Sequence, residues 1–140
     1  MKFIILLFAL ASLSPPSVAA EIKNIDDAVA LTDQVMKHVA ELDMSGGIAL
    51  IKPYSLVPQS ELDTMIKNAE LAVPQMTAGF GKVIGYEHLR NDTVGSSIVR
   101  VVYLHRFEKH ATLWRFILYK GSNGWIVNAV TFDDDISSAF

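Results

Sequence analysis

The chemistry that this sequence could carry centres on His105, because an imidazole can act as a general base or anchor a ligand near neutral pH. Tyr103 and Trp114 are predicted on the same sheet face, with Thr131 beside Trp114. With Phe116, these residues are the candidate lining of a pocket. The alternative is a histidine that is packed and hydrogen-bonded beside a tryptophan. For catalysis we favour that alternative, and the sequence does not decide between a pocket and a filled core.

Motifs for metals, phosphate and nucleophiles are missing from the sequence. Zinc needs three or four converging ligands, whereas His105 and His110 are predicted on either side of a turn, and the chain has no cysteine. Asp133–Asp135 lacks the alternating ligands and the glycine of a calcium loop. Ser96 and Ser97 do not lie in a G-x-S-x-G segment, and no glycine-rich phosphate loop occurs. We therefore predict no metal, no cofactor and no catalytic residue.

The segment 96–132 must position the candidate pocket, and its composition predicts strands. Runs rich in Val, Ile, Tyr, Phe and Trp alternate with short polar turns, as in consecutive antiparallel strands. With Glu108–Ala111 as the first loop, the predicted cross-strand pairs are Phe107 with Thr112, His105 with Trp114, Tyr103 with Phe116 and Val101 with Leu118. With the next turn centred on Ser122 and Asn123, the predicted pairs are Leu118 with Val127, Phe116 with Ala129 and Trp114 with Thr131.

Both turns place one set of large side chains on the same face, which we predict to be the core. A shift of one residue would scatter this set over both faces. Its members are Val99, Val101, Tyr103, Phe107, Trp114, Phe116, Leu118 and Val127. Burial of a large aromatic side chain removes ~150–250 Å² from water, which contributes roughly 4–6 kcal/mol.

The opposite face combines apolar residues with arginines and is predicted to be an interface. An apolar solvent-facing sheet usually marks a contact surface, and interfaces are enriched in Arg and Tyr. The face carries Val102, Leu104, Ile117, Tyr119, Ile126 and Val130, with Arg100, Arg106, Arg115 and Asn128 among them. The candidate interface residues are Arg100, Leu104, Arg106, Arg115, Ile117 and Tyr119. The alternative is that long arginine stems merely cover a two-sided sheet.

Helices are predicted before the strands. Asn24 is a plausible N-cap for a helix with apolar residues at three- and four-residue spacing, which Gly46–Gly47 should end. Segment 48–52 is short, apolar and ambiguous. A second helix is predicted from Ser60, and Pro74 should end it, because the residue before a proline avoids the helical region.

These elements predict an α+β fold, in which two to three N-terminal helices pack on a strongly curved four-stranded antiparallel sheet connected as a meander. The first strand is predicted at about 82–90. Its pairing is left open, because the turn Asn91–Gly95 can be placed in two ways. The two placements interchange the sheet faces of Tyr86 and His88 with those of Glu87 and Leu89.

Residues 1–20 have the layout of a secretory signal peptide. Lys2 precedes an 11-residue apolar run, and Val18 and Ala20 supply the small residues before the predicted cleavage site. The run is shorter than the ~20 residues that a membrane span needs, so we predict no stable membrane insertion. Residues 21–140 should form one exported domain, periplasmic or secreted. Its basic residues are too dispersed to predict nucleic-acid binding.

The long first helix, the proline-bounded second helix and the ending LWRFILYKGSNGWIVNAVTF resemble the nuclear transport factor 2-like superfamily, a cystatin-like α+β cone. The resemblance covers about residues 22–140 and is closest to small exported bacterial members of unassigned function. It implies a cone that often dimerises through the outer sheet face. Enzymes of the superfamily, such as steroid isomerases and scytalone dehydratase, place Asp, Tyr or His inside the cone. This sequence has no motif that would assign those catalytic residues to positions in it.

We therefore predict an exported, non-enzymatic binding domain. It would hold a small apolar ligand in the cone or a protein partner on the outer sheet face, and it would form a homodimer through that face. Two alternatives stay open. One is a small hydrolase, dehydratase or isomerase that uses His105 with Tyr103. The other is a periplasmic inhibitor or immunity-type protein, in which the acidic helical half or the basic sheet half opposes a charged partner.

Overall fold

The computed structural model describes residues 19–140, in which helices precede a sheet. The helices are α1 (Ile25–Ala40), α2 (Met44–Ile51) and α3 (Gln59–Phe80), with short 3₁₀ helices at Lys52–Tyr54 and Ile136–Ala139. The strands are β1 (Val83–Val94), β2 (Ile98–Phe107), β3 (Ala111–Lys120) and β4 (Trp125–Asp133). Apart from Ala19 and Ala20, the predicted signal peptide lies outside the described residues.

The strands pair antiparallel in chain order, β1 to β4, so the α+β class and the meander are confirmed. We call the face that carries Phe116 the inner face and the opposite one the outer face. Helix α1 crosses the inner face over β1 and β2, and buried residues of α1 and α3 share one core with the sheet. Within residues 19–140, none of the helices combines the length and the apolar character that a membrane crossing requires.

Helix α1 begins where the sequence predicts. The Asn24 side chain accepts a hydrogen bond from the Asp27 backbone N–H at 2.8 Å, which satisfies one of the free donors at the helix start. Four residues at three- and four-residue spacing, together with Met36, form the buried side: Ala28, Thr32, Val35, Met36 and Val39.

The predicted end of the first helix at Gly46–Gly47 is wrong. Helix α1 ends at Ala40, and the chain reverses at Leu42, whose φ is +62°. Asp43 then caps α2 by accepting from the Gly46 N–H at 2.9 Å. The two glycines therefore lie inside α2, because the capping aspartate starts a new helix before they are reached. Most of the ambiguous segment 48–52 is helical as well.

Pro74 does not end the second predicted helix, which continues as α3 to Phe80. A proline inside a helix leaves the carbonyl four residues earlier without its N–H partner. Here both Pro74 and Glu70 are exposed, so water can hydrate that carbonyl and the helix tolerates the break in its bonding.

Strand β1 extends to Val94, beyond the predicted end, and its pairing with β2 resolves the open choice. Tyr86 pairs with His105, and His88 pairs with Tyr103, which puts Tyr86 and His88 on the inner face. Irregularities between Val83 and Gly85 and between His88 and Arg90 shift the register twice. Such bulges bend a strand and increase its twist.

The predicted pairing of β2 with β3 has the correct faces but the wrong partners. Tyr103 pairs with Trp114, and His105 pairs with Thr112, so each partner lies two positions away from the predicted one. Because side chains alternate with a period of two, a displacement by two residues preserves the face of every side chain. The eight predicted core residues are accordingly all buried, the most exposed being Val99 at 5 %.

The predicted pairing of β3 with β4 holds only at Leu118 and Val127. A register shift between Ile117 and Leu118 then pairs Phe116 with Val130 and Trp114 with Phe132. Beyond the shift, the faces of β4 are exchanged relative to the prediction. Val130 therefore packs inward against the core instead of lying on the outer face.

Candidate functional site

Three polar aromatic side chains are buried together on the inner face. Tyr103 and Trp114 are each 1 % exposed, and His105 is 0 % exposed. The Tyr103 hydroxyl lies 2.9 Å from the Thr32 hydroxyl. Because Thr32 donates to the Val29 carbonyl at 2.7 Å, its hydroxyl proton is already used. Tyr103 therefore donates to Thr32, and the tyrosine is satisfied by helix α1.

The other two side chains of this cluster have no partner. Both ring nitrogens of His105 and the indole nitrogen of Trp114 are buried without a hydrogen bond to any described residue. The two side chains are diagonal neighbours on adjacent strands, since His105 pairs with Thr112 and Trp114 with Tyr103. A buried polar group without a partner costs about 1–3 kcal/mol. Three such atoms on two neighbouring residues of the sheet indicate a place where a further polar group is needed.

Burial sets the protonation states in the cluster. It lowers the pKa of His105 to about 4, because the charged imidazolium cannot be hydrated there. It also raises the pKa of Tyr103 to about 12. At neutral pH both groups are uncharged, and His105 carries one N–H donor and one nitrogen acceptor.

A second tyrosine connects the cluster to a carboxylate at the surface. The Tyr86 hydroxyl donates to Asp33 Oδ1 at 3.0 Å, and its ring lies 6.2 Å from the Tyr103 ring. Burial first, and then the bond to Asp33, raise the pKa of Tyr86 to about 12. Asp33 also forms an ion pair with Lys37 at 3.5 Å, so this carboxylate is engaged with Tyr86 and Lys37.

One pocket is lined by residues that neighbour Trp114 and His105. Phe132 stacks on Trp114 with 4.6 Å between ring centres and 12° between planes. Phe132 and Thr112, the strand partner of His105, line a pocket of about 180 Å³. Its other lining residues are Met76, Phe80, Asp133 and Asp134. An adjoining pocket of about 360 Å³ shares three of these residues and extends along α3. We call the smaller one the rim pocket.

Other pockets of the described chain are larger but lack this feature. One of about 660 Å³ lies against residues 52–59, and one of about 410 Å³ lies between the N-terminal segment and α1. Neither is lined by a strand partner or a stacking partner of His105 or Trp114, the residues that hold the buried unpartnered nitrogens found in residues 19–140. We therefore place the candidate site at the rim pocket and the cluster behind it.

The structure corrects one predicted pocket residue. Tyr103, His105, Trp114 and Phe116 lie on the inner face, and Phe116 is 0 % exposed, but none of the four is among the residues that line the rim pocket or the other pockets named above. Thr131 is wrong, because the register shift in β4 turns it to the outer face, where it is exposed opposite Arg115. Phe132 takes the place beside Trp114 that was predicted for Thr131.

Sequence reasoning missed several residues of the site. Thr32 had a signal, since it lies four residues after Ala28 and three before Val35, on the apolar side of α1. A threonine on such a side needs a buried partner. Thr112 also had a signal, because the predicted pairing placed it opposite Phe107 on the core face. Phe132 had none, because its inward position depends on the register shift in β4. Met76 and Phe80 lie beyond Pro74, where the helix was predicted to end.

The C-terminal segment, residues 134–140, lies across part of the predicted interface. Arg115 donates to Asp133 Oδ2 at 2.7 Å and to the Ser138 hydroxyl, and Arg90 donates to the Ala139 carbonyl. On the same face, Val102 and Leu113 are 1 % and 0 % exposed. Arg115 thus anchors the chain's own C-terminus, and this part of the outer face is covered.

The remaining interface candidates lie on the outer face with different exposures. Arg100 donates to Asp92 Oδ2 at 2.8 Å, Arg106 is exposed, and Leu104 and Ile117 are half-buried. Tyr119 is 45 % exposed and pairs with Ile98. We call the exposed group Val94, Ile98 and Tyr119 the uncovered patch.

No set of three His, Cys, Asp or Glu side chains within residues 19–140 is arranged to hold a metal ion. His88 bonds Asn91 at 2.8 Å, and His110 bonds the Asp134 carbonyl at 3.1 Å.

No protein-family model matches the chain, and a comparison with curated proteins finds no match. The chain is similar to a solved structure described as "Putative NTF2-like transpeptidase from CAMPYLOBACTER JEJUNI", with 16 % sequence identity and a TM-score of 0.39. The similarity covers 76 % of this chain and 99 % of that chain. The family in that description is the one that the sequence resembles. A similarity this low carries no argument about activity, and the fold class rests on the helices and the meander described above.

Proposed function

We propose that the protein is an exported, non-enzymatic binding domain that holds a small apolar ligand at the rim pocket, with the buried cluster as its polar anchor. The observation that carries this proposal is the group of three buried nitrogens of His105 and Trp114 without a partner. A ligand that hydrogen-bonds them would remove a penalty of about 1–3 kcal/mol for each satisfied atom. This gain comes in addition to the burial of its apolar body against the pocket wall.

Access to these nitrogens is through Phe132. This ring is only partly buried, it lines the rim pocket, and it covers Trp114 by stacking. A change of its side-chain rotamer would connect the rim pocket to the indole nitrogen without disturbing the backbone. Rotamer changes at binding sites are common and need little backbone movement.

The protonation states favour binding over catalysis. A general base is most effective when its pKa lies near the working pH, whereas the pKa of His105 is about 4. No described carboxylate bonds either of its ring nitrogens to orient or charge it. The Tyr103 hydroxyl is bound to Thr32 and carries a raised pKa. In a hydrolase, dehydratase or isomerase, the substrate itself would have to supply the hydrogen-bonding group that the ring nitrogens of His105 lack here.

Titration of the protein with toluene, followed by NMR of the two tryptophan indole N–H groups, tests the proposal. The Trp114 signal is expected to shift in a saturable way, while the signal of Trp125, at the opposite end of β4 from Phe132, stays in place and serves as the internal control. Phe132→Ala is expected to strengthen binding by opening the rim pocket. Saturable binding to neither protein would contradict a ligand site in the cone.

A homodimer through the outer face stays a prediction, and the uncovered patch is where we expect it. Light scattering should give twice the mass of one chain for the wild type and the mass of one chain for Ile98→Asp, which places a charge in the patch. Lys109→Asp, in the turn at the other end of β2, should remain dimeric. If the wild type has the mass of one chain at all concentrations, the prediction of a homodimer is wrong. Co-purification with a charged protein would instead favour the inhibitor or immunity-type hypothesis.

A further inference from the structure

We infer that the ligand enters with an uncharged head group that offers both a hydrogen-bond acceptor and a donor, such as a carboxamide or an alcohol on a compact apolar body. The inference rests on the proposed function and specifies the ligand class. It follows from the hydrogen-bonding capacity of the atoms that the ligand must satisfy, from the charges around them and from the size of the rim pocket.

The unpartnered atoms require a ligand that both accepts and donates hydrogen bonds. The Trp114 indole N–H can only donate, so it needs an acceptor. A neutral His105 has one donor and one acceptor nitrogen, so one of its atoms needs a donor from the ligand. Thr112, the strand partner of His105, and Phe132, which stacks on Trp114, both line the rim pocket, so a single small head group that enters past Phe132 would meet both side chains. A carboxamide and an alcohol each contain both functions.

The charges near the site disfavour an anion. The rim pocket is lined by Asp133 and Asp134, and the Arg115 guanidinium that binds Asp133 belongs to the outer face. His110, beside Phe80, is bound to the Asp134 carbonyl. No lysine or arginine lines the rim pocket among the described residues. A carboxylate or phosphate would therefore pass two acidic residues and be buried without a counter-charge, which is strongly unfavourable.

The apolar part of the pocket limits the body of the ligand to about one ring. Met76, Phe80 and Phe132 supply apolar walls to the volume of about 180 Å³. An apolar cavity of roughly 150 Å³ holds one benzene molecule. A single aromatic or alicyclic ring fits, and a longer apolar chain would extend along α3 into the adjoining pocket.

A matched set of one-ring probes tests the inference: benzamide, benzyl alcohol, toluene and benzoate, measured at pH 7 by NMR titration and calorimetry. Benzamide and benzyl alcohol should bind about tenfold more tightly than toluene, which corresponds to one or two net hydrogen bonds. Benzoate should bind more weakly than toluene. Within the His105→Phe variant, benzamide and toluene should bind with affinities that differ by less than about threefold, so that the tenfold preference of the wild type is lost. Trp114→Phe serves as the second variant if His105→Phe does not fold.

The outcomes separate this inference from the proposed function. Equal affinities of toluene and benzamide in the wild type would overturn the inference and leave an apolar binding site. Tightest binding of benzoate would also overturn it. Saturable binding by none of the four probes, with the Trp114 signal unmoved, would overturn the proposed function and the inference together.

Discussion

Phe116→Ala is expected to lower the free energy of unfolding by about 3–5 kcal/mol, the usual cost of removing a buried phenyl ring. Phe116 is 0 % exposed and meets Tyr103 edge-on, with 5.9 Å between ring centres. The cavity left by alanine would lie at the centre of the inner face, where strands and helices restrain one another. Since a domain of this size is stable by only about 5–15 kcal/mol, the variant should unfold at a much lower urea concentration.

The matched control is Tyr119→Ala in the same strand. Tyr119 is 45 % exposed on the outer face, so at protein concentrations at which light scattering finds single chains, its loss should change the free energy of unfolding by about 0.5 kcal/mol or less. Equilibrium urea unfolding followed by circular dichroism gives both values. Equal losses for the two variants would mean that the inner face is not the core.

Acid is expected to destabilise the protein through His105 by about 3 kcal/mol between pH 7 and pH 4. Burial lowers the pKa of this residue from 6.5 to about 4 in the folded state. Between these two values the unfolded chain binds a proton that the folded protein does not. Stability therefore increases with pH through this window: the loss is nearly complete at pH 4 and almost absent at pH 7.

The comparison of wild type with His105→Phe isolates this effect. Asp43 and Asp92 also have lowered pKa values, from the bonds to His38 and to Arg100 respectively, and they contribute acid sensitivity to both proteins alike. The difference in unfolding free energy between wild type and variant should therefore change by about 3 kcal/mol from pH 7 to pH 4. A constant difference over this range would show that His105 accepts a proton in the folded state, as a hydrated or carboxylate-bound imidazole would.

The predicted site depended on tertiary structure to a different degree at each residue. The burial of His105 and Trp114 follows from the alternation of side chains between the two faces of a strand. The incorrect prediction of the turn between β2 and β3 did not change these faces. Their lack of partners could not be predicted, because it depends on what helix α1 brings to the sheet. That helix supplies a hydroxyl to Tyr103 through Thr32 and nothing to His105.

By itself, the sequence determined the α+β class, the inner and outer faces of β2 and β3, and the start of α1, since these depend on side-chain periodicity and on local capping. Only the tertiary structure decided the partners across the strands, the inward position of Phe132, the passage of α3 through Pro74 and the position of the C-terminal segment over Arg115. Each of these depends on contacts between residues distant in the chain, where one extra residue in a strand or a hydrated carbonyl changes the outcome without altering the local pattern.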